Sequence, residues 1–268
     1  MDGGVIIQKV AIMSLSGGMD STGLLLHLLA DGYTVQAISF DYGQKHKIEI
    51  EKAQKNISYL SKKGYFVEHN IIDLSTIGKL LESSLTDNSK EVPEGHYEEE
   101  QMKSTVVPNR NSIFSSITYA CALSKAIRLD SDVKIALGVH SGDHAIYPDC
   151  RPEFYFAIAN AFSIGNWESE KVSFYLPYLE YDKSYILEDS LDSAKKLSLD
   201  FDYIFSNTIT SYNPDSQGRS SGKSGADVER ILAFHSIGRK DPIEYVKDWE
   251  EVLNDALKIE KKYIEGQQ

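Results

Sequence analysis

The junction between the first apolar run and the first helix constrains this chain more than any other feature. Val10-Ala11-Ile12-Met13 is apolar at every position, as expected of a strand buried on both faces. It leads into Ser16-Gly17-Gly18-Met19-Asp20-Ser21, after which Leu24, Leu25, Leu28 and Leu29 repeat at helical spacing over Ser21 to Leu29. The alternation continues along the chain. Val35 to Phe40 reads as a strand, Lys47 to Lys63 as an amphipathic helix ended by Gly64, and Tyr65 to Ile72 as a third strand. Further on, the helices Ser112 to Leu129, Arg151 to Gly165 and Asp182 to Leu197 interleave with strands Val133 to Val139 and Val172 to Leu176. Strands alternating with helices imply an α/β fold built on a parallel sheet with crossover helices. Residues 1–205 are expected to form this unit, and 206–268 a small subdomain with a polar Ser/Gly loop followed by two helices.

Glu82 to Thr105 interrupts the pattern with Pro93, Gly95 and the acidic run Glu98-Glu99-Glu100. A loop of this length is either a solvated excursion or a lid over a site.

The glycine turn is suited to an anion. Glycine lets the backbone approach phosphate oxygens closely, and a helix start offers unpaired N–H groups and a positive dipole end. Ser16 and Ser21 add hydroxyl donors. Asp20 is out of place beside an anion unless it caps the helix or helps hold a Mg²⁺ that the phosphates share. A plain N-cap turn is the alternative for the whole segment. Gly218-Arg219-Ser220-Ser221-Gly222-Lys223-Ser224 resembles a Walker A loop, but three residues separate its glycines where that loop needs four.

Bulk properties narrow the partners. The net charge of −12, from 28 basic and 40 acidic side chains, disfavours nucleic acid. Cys121 and Cys150 are too few for a disulfide framework or a four-thiolate zinc site. No apolar run reaches the ~20 residues of a membrane span, and the first residues lack the pattern of a signal peptide. A cytoplasmic enzyme acting on a small molecule is the expectation.

The Ser16–Ser21 segment resembles the SGGxDS loop of PP-loop ATP pyrophosphatases. Three more segments resemble the QueC family, 7-cyano-7-deazaguanine synthases: Asp41-Tyr42-Gly43-Gln44-Lys45-His46, Val107-Pro108-Asn109-Arg110-Asn111, and Gly138-Val139 through Asp143 to Tyr147-Pro148-Asp149-Cys150-Arg151-Pro152-Glu153-Phe154. Similarity runs in order from about Val10 to Tyr245. The resemblance implies a Rossmann-like (adenine nucleotide alpha hydrolase-like) parallel sheet with helices on both faces and a small helical C-terminal subdomain. It implies ATP and Mg²⁺ as cofactors and adenylation of 7-carboxy-7-deazaguanine with release of pyrophosphate. Ammonia then gives the amide, and a second ATP gives the nitrile.

On that resemblance Ser16, Gly17, Gly18, Asp20 and Ser21 would bind ATP, with Lys183 as a second phosphate-facing group; a surface lysine at a helix start is the alternative. Arg110 would bind phosphate or the substrate carboxylate. Asp143, Tyr147, Asp149 and Arg151 would form the nucleobase pocket, although Asp149 also suits a helix cap. Cys150 suits a pocket wall better than a nucleophile, Cys121 suits the core, and His46 either relays a proton or is an ordinary polar residue.

The chain departs from the family where four cysteines bind zinc. Ser211, Ser221, Ser224 and Asp227 stand at those positions, and hydroxyls are poor zinc ligands, so no structural zinc is expected. Asn109 and Ile146 also replace family glycines. QueC-like proteins occur in anti-phage operons, including type IV CBASS, where the acceptor would be an amine of a partner protein. These departures tilt the expectation toward such a conjugating paralogue, with an ammonia-using synthase as the alternative. A homodimer is a further expectation. A PP-loop tRNA-modifying enzyme would need a basic surface or paired cysteines. A non-catalytic binding subunit would have no need of an intact phosphate loop.

Overall fold

The computed structural model describes residues 8–44, 48–85, 94–96, 100–211, 215 and 218–266. Its strands are β1 (Val10–Ser14), β2 (Thr34–Asp41), β3 (Val67–Asp73), β4 (Val133–Ala136) and β5 (Val172–Tyr175). All pair in parallel, in the order β3-β2-β1-β4-β5. The order reverses between β1 and β4, which opens a crevice beyond their carboxyl ends.

Side chains alternate across this sheet as the pleat requires. Val10 and Ile12 of β1, Ile38 and Phe40 of β2, and Val133 and Ile135 of β4 enter one apolar core. Ala11 and Met13, with Val35 and Ala37, enter the other. On the first face lie α4 (Arg110–Leu129) and α5 (Pro152–Gly165). The second is covered by α1 (Met19–Ala30), α2 (Ile48–Lys62), α6 (Lys183–Lys196), α7 (Phe201–Ser206), α8 (Gly225–Ser236) and α9 (Trp249–Gly266). A single helical turn, α3 (Ser75–Gly78), follows β3. Helices on both faces explain why the strands read as continuous apolar runs.

The helix α1 starts at Met19, ahead of the Ser21 expected from its leucine spacing. Its glycine is a packing residue: a Cβ on Gly23 would lie 2.5 Å from Ser190 Oγ and 2.9 Å from Ile186 Cγ2 of α6. The helices of 206–268 are not separately cored. Val228, Ile231, Phe234, Trp249 and Val252 share one apolar cluster with Leu24, Leu28 and Ile186. The expected core residue Cys121 is half-buried on α4, and His46 lies outside the described residues. No helix among the described residues is long and apolar enough to cross a membrane.

Candidate functional site

The turn after β1 is shaped by its glycines and serines. Gly17 has φ +86°, and a Cβ there would lie 2.1 Å from the carbonyl oxygen of Glu49, so only glycine lets α2 abut the turn. The Ser16 and Ser21 hydroxyls are 3.0 Å apart, the Ser16 N–H donates to Ser21 Oγ at 3.2 Å, and the Gly18 N–H donates to Ser16 Oγ at 3.2 Å. Gly18 is the N-cap of α1 in an extended conformation, with no side-chain cap. The first turn of α1 therefore carries backbone donors that no side-chain cap satisfies, as an anion site requires. Across the crevice Gly138 lets the end of β4 approach α1, since a Cβ would lie 3.1 Å from Asp20 C and O.

A cleft of about 270 Å³ occupies this crevice. Of the residues expected to bind ATP or substrate, Ser16, Gly18, Asp20, Ser21, Arg110, Asp143, Tyr147 and Lys183 line it together. Tyr147 is buried and its hydroxyl lies 2.6 Å from Thr105 Oγ1. Arg110 opens α4 behind Asn109, which adopts φ +58°, a left-handed conformation that asparagine tolerates. Ile146 has φ −101°, so this replacement of a glycine is not strained.

Gly17, pressed against α2, is not among the lining residues, and two expected pocket residues sit elsewhere. Asp149 accepts the Asn111 N–H at 3.3 Å and so supports the start of α4, while its Oδ1 is buried without a partner. The Arg151 side chain is exposed, with its Nε donating to the His144 carbonyl at 2.8 Å. Cys150 lines the cleft. Burial, reinforced by Asp143 and Asp149, pushes its thiol well above the ordinary value, which leaves it a poor nucleophile.

Lys183 is buried, not a surface residue. Its ammonium is 2.5 Å from Glu229 Oε2 and 3.8 Å from Asp20 Oδ2. Burial by itself would lower its pKa, but the carboxylates of Asp20, Glu229 and Asp143 outweigh this and raise it, so the charge is retained. Beneath it His140 is 1% exposed, with neither ring nitrogen hydrogen-bonded. Its Nε2 lies 3.5 Å from Asp143 Oδ2 and 3.9 Å from Asp20 Oδ2, and its Nδ1 4.0 Å from Glu229 Oε1.

Sequence reasoning missed several of these groups. Glu49 lines the cleft, where burial pushes its carboxyl up to about 7 although the Arg110 guanidinium pulls it down. Arg230 is fully buried. It makes a two-pronged contact with Asp241, at 2.6 and 2.9 Å, and donates to Thr208 and Thr210 hydroxyls. These bonds hold the segment whose Ile209 N–H donates to Gly17 O at 3.2 Å. Arg230 thus supports the glycine turn at Gly17 from outside the cleft. A lone arginine inside a helix gives no sequence signal of such a role.

The described parts of the 82–105 segment reach both the cleft and α9. Leu85 lines it, Thr105 holds Tyr147, and His96 stacks on Tyr263 with ring centroids 3.6 Å apart. Residues 86–93 and 97–99 lie outside the described residues.

The residues at the expected zinc positions do not fit that metal. Asp227 is fully buried and accepts the Ser220 hydroxyl at 2.6 Å and the Ser211 hydroxyl at 3.2 Å, while Ser224 Oγ accepts the Asp227 N–H at 3.2 Å. Ser220, not Ser221, turns into this cluster; Ser221 Oγ accepts the Lys223 N–H instead. Hydroxyls committed to a carboxylate replace the soft donors that zinc prefers. A Mg²⁺ is better served: Asp20 Oδ1 is buried without a partner at the phosphate loop. Mg²⁺ commonly takes one or two carboxylates together with phosphate oxygens.

Comparison with known proteins extends over nearly the whole chain. The family model described as "Queuosine biosynthesis protein QueC" matches residues 10–238. The 7-cyano-7-deazaguanine synthase of Methanoregula boonei is 46% identical over 236 residues, covering 88% of this chain and 98% of that protein. The 7-cyano-7-deazaguanine synthase 1 of Colwellia psychrerythraea is 45% identical over 239 residues, covering 89% and 99%. That of Caldicellulosiruptor bescii is 41% identical over 235 residues, covering 88% and 96%.

Proposed function

The chain belongs to the QueC family and is an ATP-dependent ligase forming AMP and pyrophosphate, and on that premise we propose that it converts 7-carboxy-7-deazaguanine to 7-cyano-7-deazaguanine with ammonia. One observation carries this reading: the phosphate loop, Arg110 and the Asp143–Tyr147 segment open into the same cleft. That arrangement brings an ATP phosphate chain and a planar acid within reach of each other.

The chemistry follows from what each group can do. A carboxylate oxygen leaves poorly, and AMP leaves well. Backbone N–H groups at the start of α1, the Ser16 and Ser21 hydroxyls and the Lys183 ammonium stabilise the charge that gathers on the departing pyrophosphate. Asp20 would hold a Mg²⁺, which supplies further charge neutralisation when bound. Arg110 orients the substrate carboxylate toward the α-phosphate. Asp143 and Tyr147 face the base, with Asp143 suited to its N–H edge. Asp149 acts through Asn111, and Arg151 is left without a direct role.

The identity to the named synthases supports ammonia as the acceptor. Loss of the zinc-site cysteines and the replacement of family glycines by Asn109 and Ile146 favour a protein amine instead, but a carboxylate-centred cluster occupies the first place and the backbone accommodates both replacements. Mass spectrometry of products from ATP, Mg²⁺, 7-carboxy-7-deazaguanine, ammonium chloride and candidate partner proteins tests the reading. A nitrile is expected. Amide alone would end the reaction one step short, and a base joined to a partner protein would establish conjugation.

A further inference from the structure

We propose that Glu49 is the general base that takes a proton from the amine as it attacks the acyl-adenylate. The inference rests on the adenylation and amidation reading above. It starts from a position. Glu49 lies in the first turn of α2, and that turn is pressed onto the phosphate loop so closely that its carbonyl would meet a Cβ on Gly17 at 2.1 Å. The residue lines the cleft together with Ser16, Ser21, Arg110 and Lys183. It lies close enough to Arg110 and Tyr42 to interact with both electrostatically, and Arg110 is the group that would hold the substrate carboxylate.

The other carboxylates of this region have commitments. Asp20 and Glu229 share the Lys183 ammonium, Asp143 lies 3.5 Å from His140 Nε2, and Asp149 accepts the Asn111 N–H. Glu49 is set apart from that cluster. Burial pushes its carboxyl up to about 7, so near neutrality it can both accept a proton and release it.

Aminolysis needs such a group. As the nitrogen lone pair forms the C–N bond, the nitrogen becomes positively charged. Unless it loses a proton, the adduct expels the amine and reverts. Glu49 accepts that proton, the C–O bond to AMP breaks with its electron pair on the phosphate oxygen, and amide and AMP are released. Glu49 then returns the proton to solvent.

The test separates the two half-reactions in the full chain. Substrate-dependent exchange of labelled pyrophosphate into ATP reads adenylation, and mass spectrometry with ammonium chloride reads amide formation. For Glu49→Gln we expect exchange within about threefold of wild type and ammonia-dependent product down by roughly 100-fold or more. Hydroxylamine, a good nucleophile that is largely neutral near pH 7, should trap the adenylate as the hydroxamate, with release of AMP, at close to the wild-type rate in that variant. Equal loss of exchange and product, or product at the wild-type rate, would overturn the proposal. The unsubstituted chain and Glu49→Asp guard against misfolding of the first variant. Wild-type product formation, corrected for free ammonia, should rise through a limb near pH 7 while exchange stays level, and Glu49→Asp should shift that limb. A level product profile refutes the base. Absence of exchange in the wild type refutes adenylation itself, and the base with it.

Discussion

The Lys183 ammonium lies 2.5 Å from Glu229 Oε2 and 3.8 Å from Asp20 Oδ2, so one buried cation joins the start of α6, the helix α8 and the turn that opens α1. With two acids in contact, the lysine keeps its charge despite burial. Replacing Lys183 by Met should lower substrate-dependent pyrophosphate exchange by roughly 100- to 1,000-fold, the usual cost of one preorganised charge-stabilising donor. Arginine should not rescue it, because a planar guanidinium does not fit the space of a compact ammonium.

Gly17→Ala should disable the phosphate loop by geometry alone. The added methyl would lie 2.1 Å from Glu49 O, and the φ of +86° is unfavourable for any L side chain. A loss of at least about 2 kcal/mol in urea unfolding is expected, given the ~1–3 kcal/mol cost of such backbone strain and the added clash. ATP binding, measured by calorimetry, should fall beyond detection.

The buried pair of Arg230 and Asp241 supports the Thr208–Thr210 segment that braces Gly17. Removing one partner leaves an uncompensated buried charge. Arg230→Met should therefore destabilise the chain by about 3–5 kcal/mol in denaturant unfolding, and Asp241→Asn should be comparably harmful. The double variant should cost less than the sum of the two, which a double-mutant cycle would measure.

His27 predicts a pH dependence of stability. Burial would lower its pKa, but the hydrogen bond and charge of Asp189, at 3.0 Å, with Asp31 nearby, raise it above the ordinary 6.5. A group raised on folding stabilises fully below its unfolded value, and that contribution is lost as pH rises through the folded value. The melting temperature of wild type should thus exceed that of His27→Gln most below the unfolded value of 6.5, with the gap closing as pH rises above it.

Chelation should leave the fold intact. Asp227, Ser211, Ser220 and Ser224 satisfy one another through hydrogen bonds. Dialysis against a strong chelator, followed by restored Mg²⁺, should leave the melting temperature unchanged. Elemental analysis should find zinc far below one per chain. A structural zinc would instead make folding depend on the metal.

Some of this architecture was legible before any coordinates. The apolar run Val10–Met13, the glycine pair and the leucine spacing after it announce a strand, an anion turn and a helix, because each signal is set by neighbours in the chain. The resemblance to family motifs brought in Arg110, Asp143, Tyr147 and Lys183, all of which line the cleft. The zinc-site replacements were equally visible, but the notion that Ser221 would stand in the cluster was not met, because the chain turns Ser220 inward. Arg151 reads as a pocket residue by its place in a motif, yet its guanidinium is occupied by the His144 carbonyl.

The sequence by itself determined the alternation of strand and helix, the glycine turn between the first strand and its helix, and the family. Only the tertiary structure decided which charges meet. Lys183 and Glu229 are 46 residues apart in the chain, and Arg230 and Thr208 are 22 apart. Whether Lys183 is a surface lysine or a buried cation, and whether Glu49 is an ordinary acid or a base poised near neutrality, depends on what packs against it. Propensity and spacing are local properties, whereas burial and ion pairing arise only when distant segments share one interior.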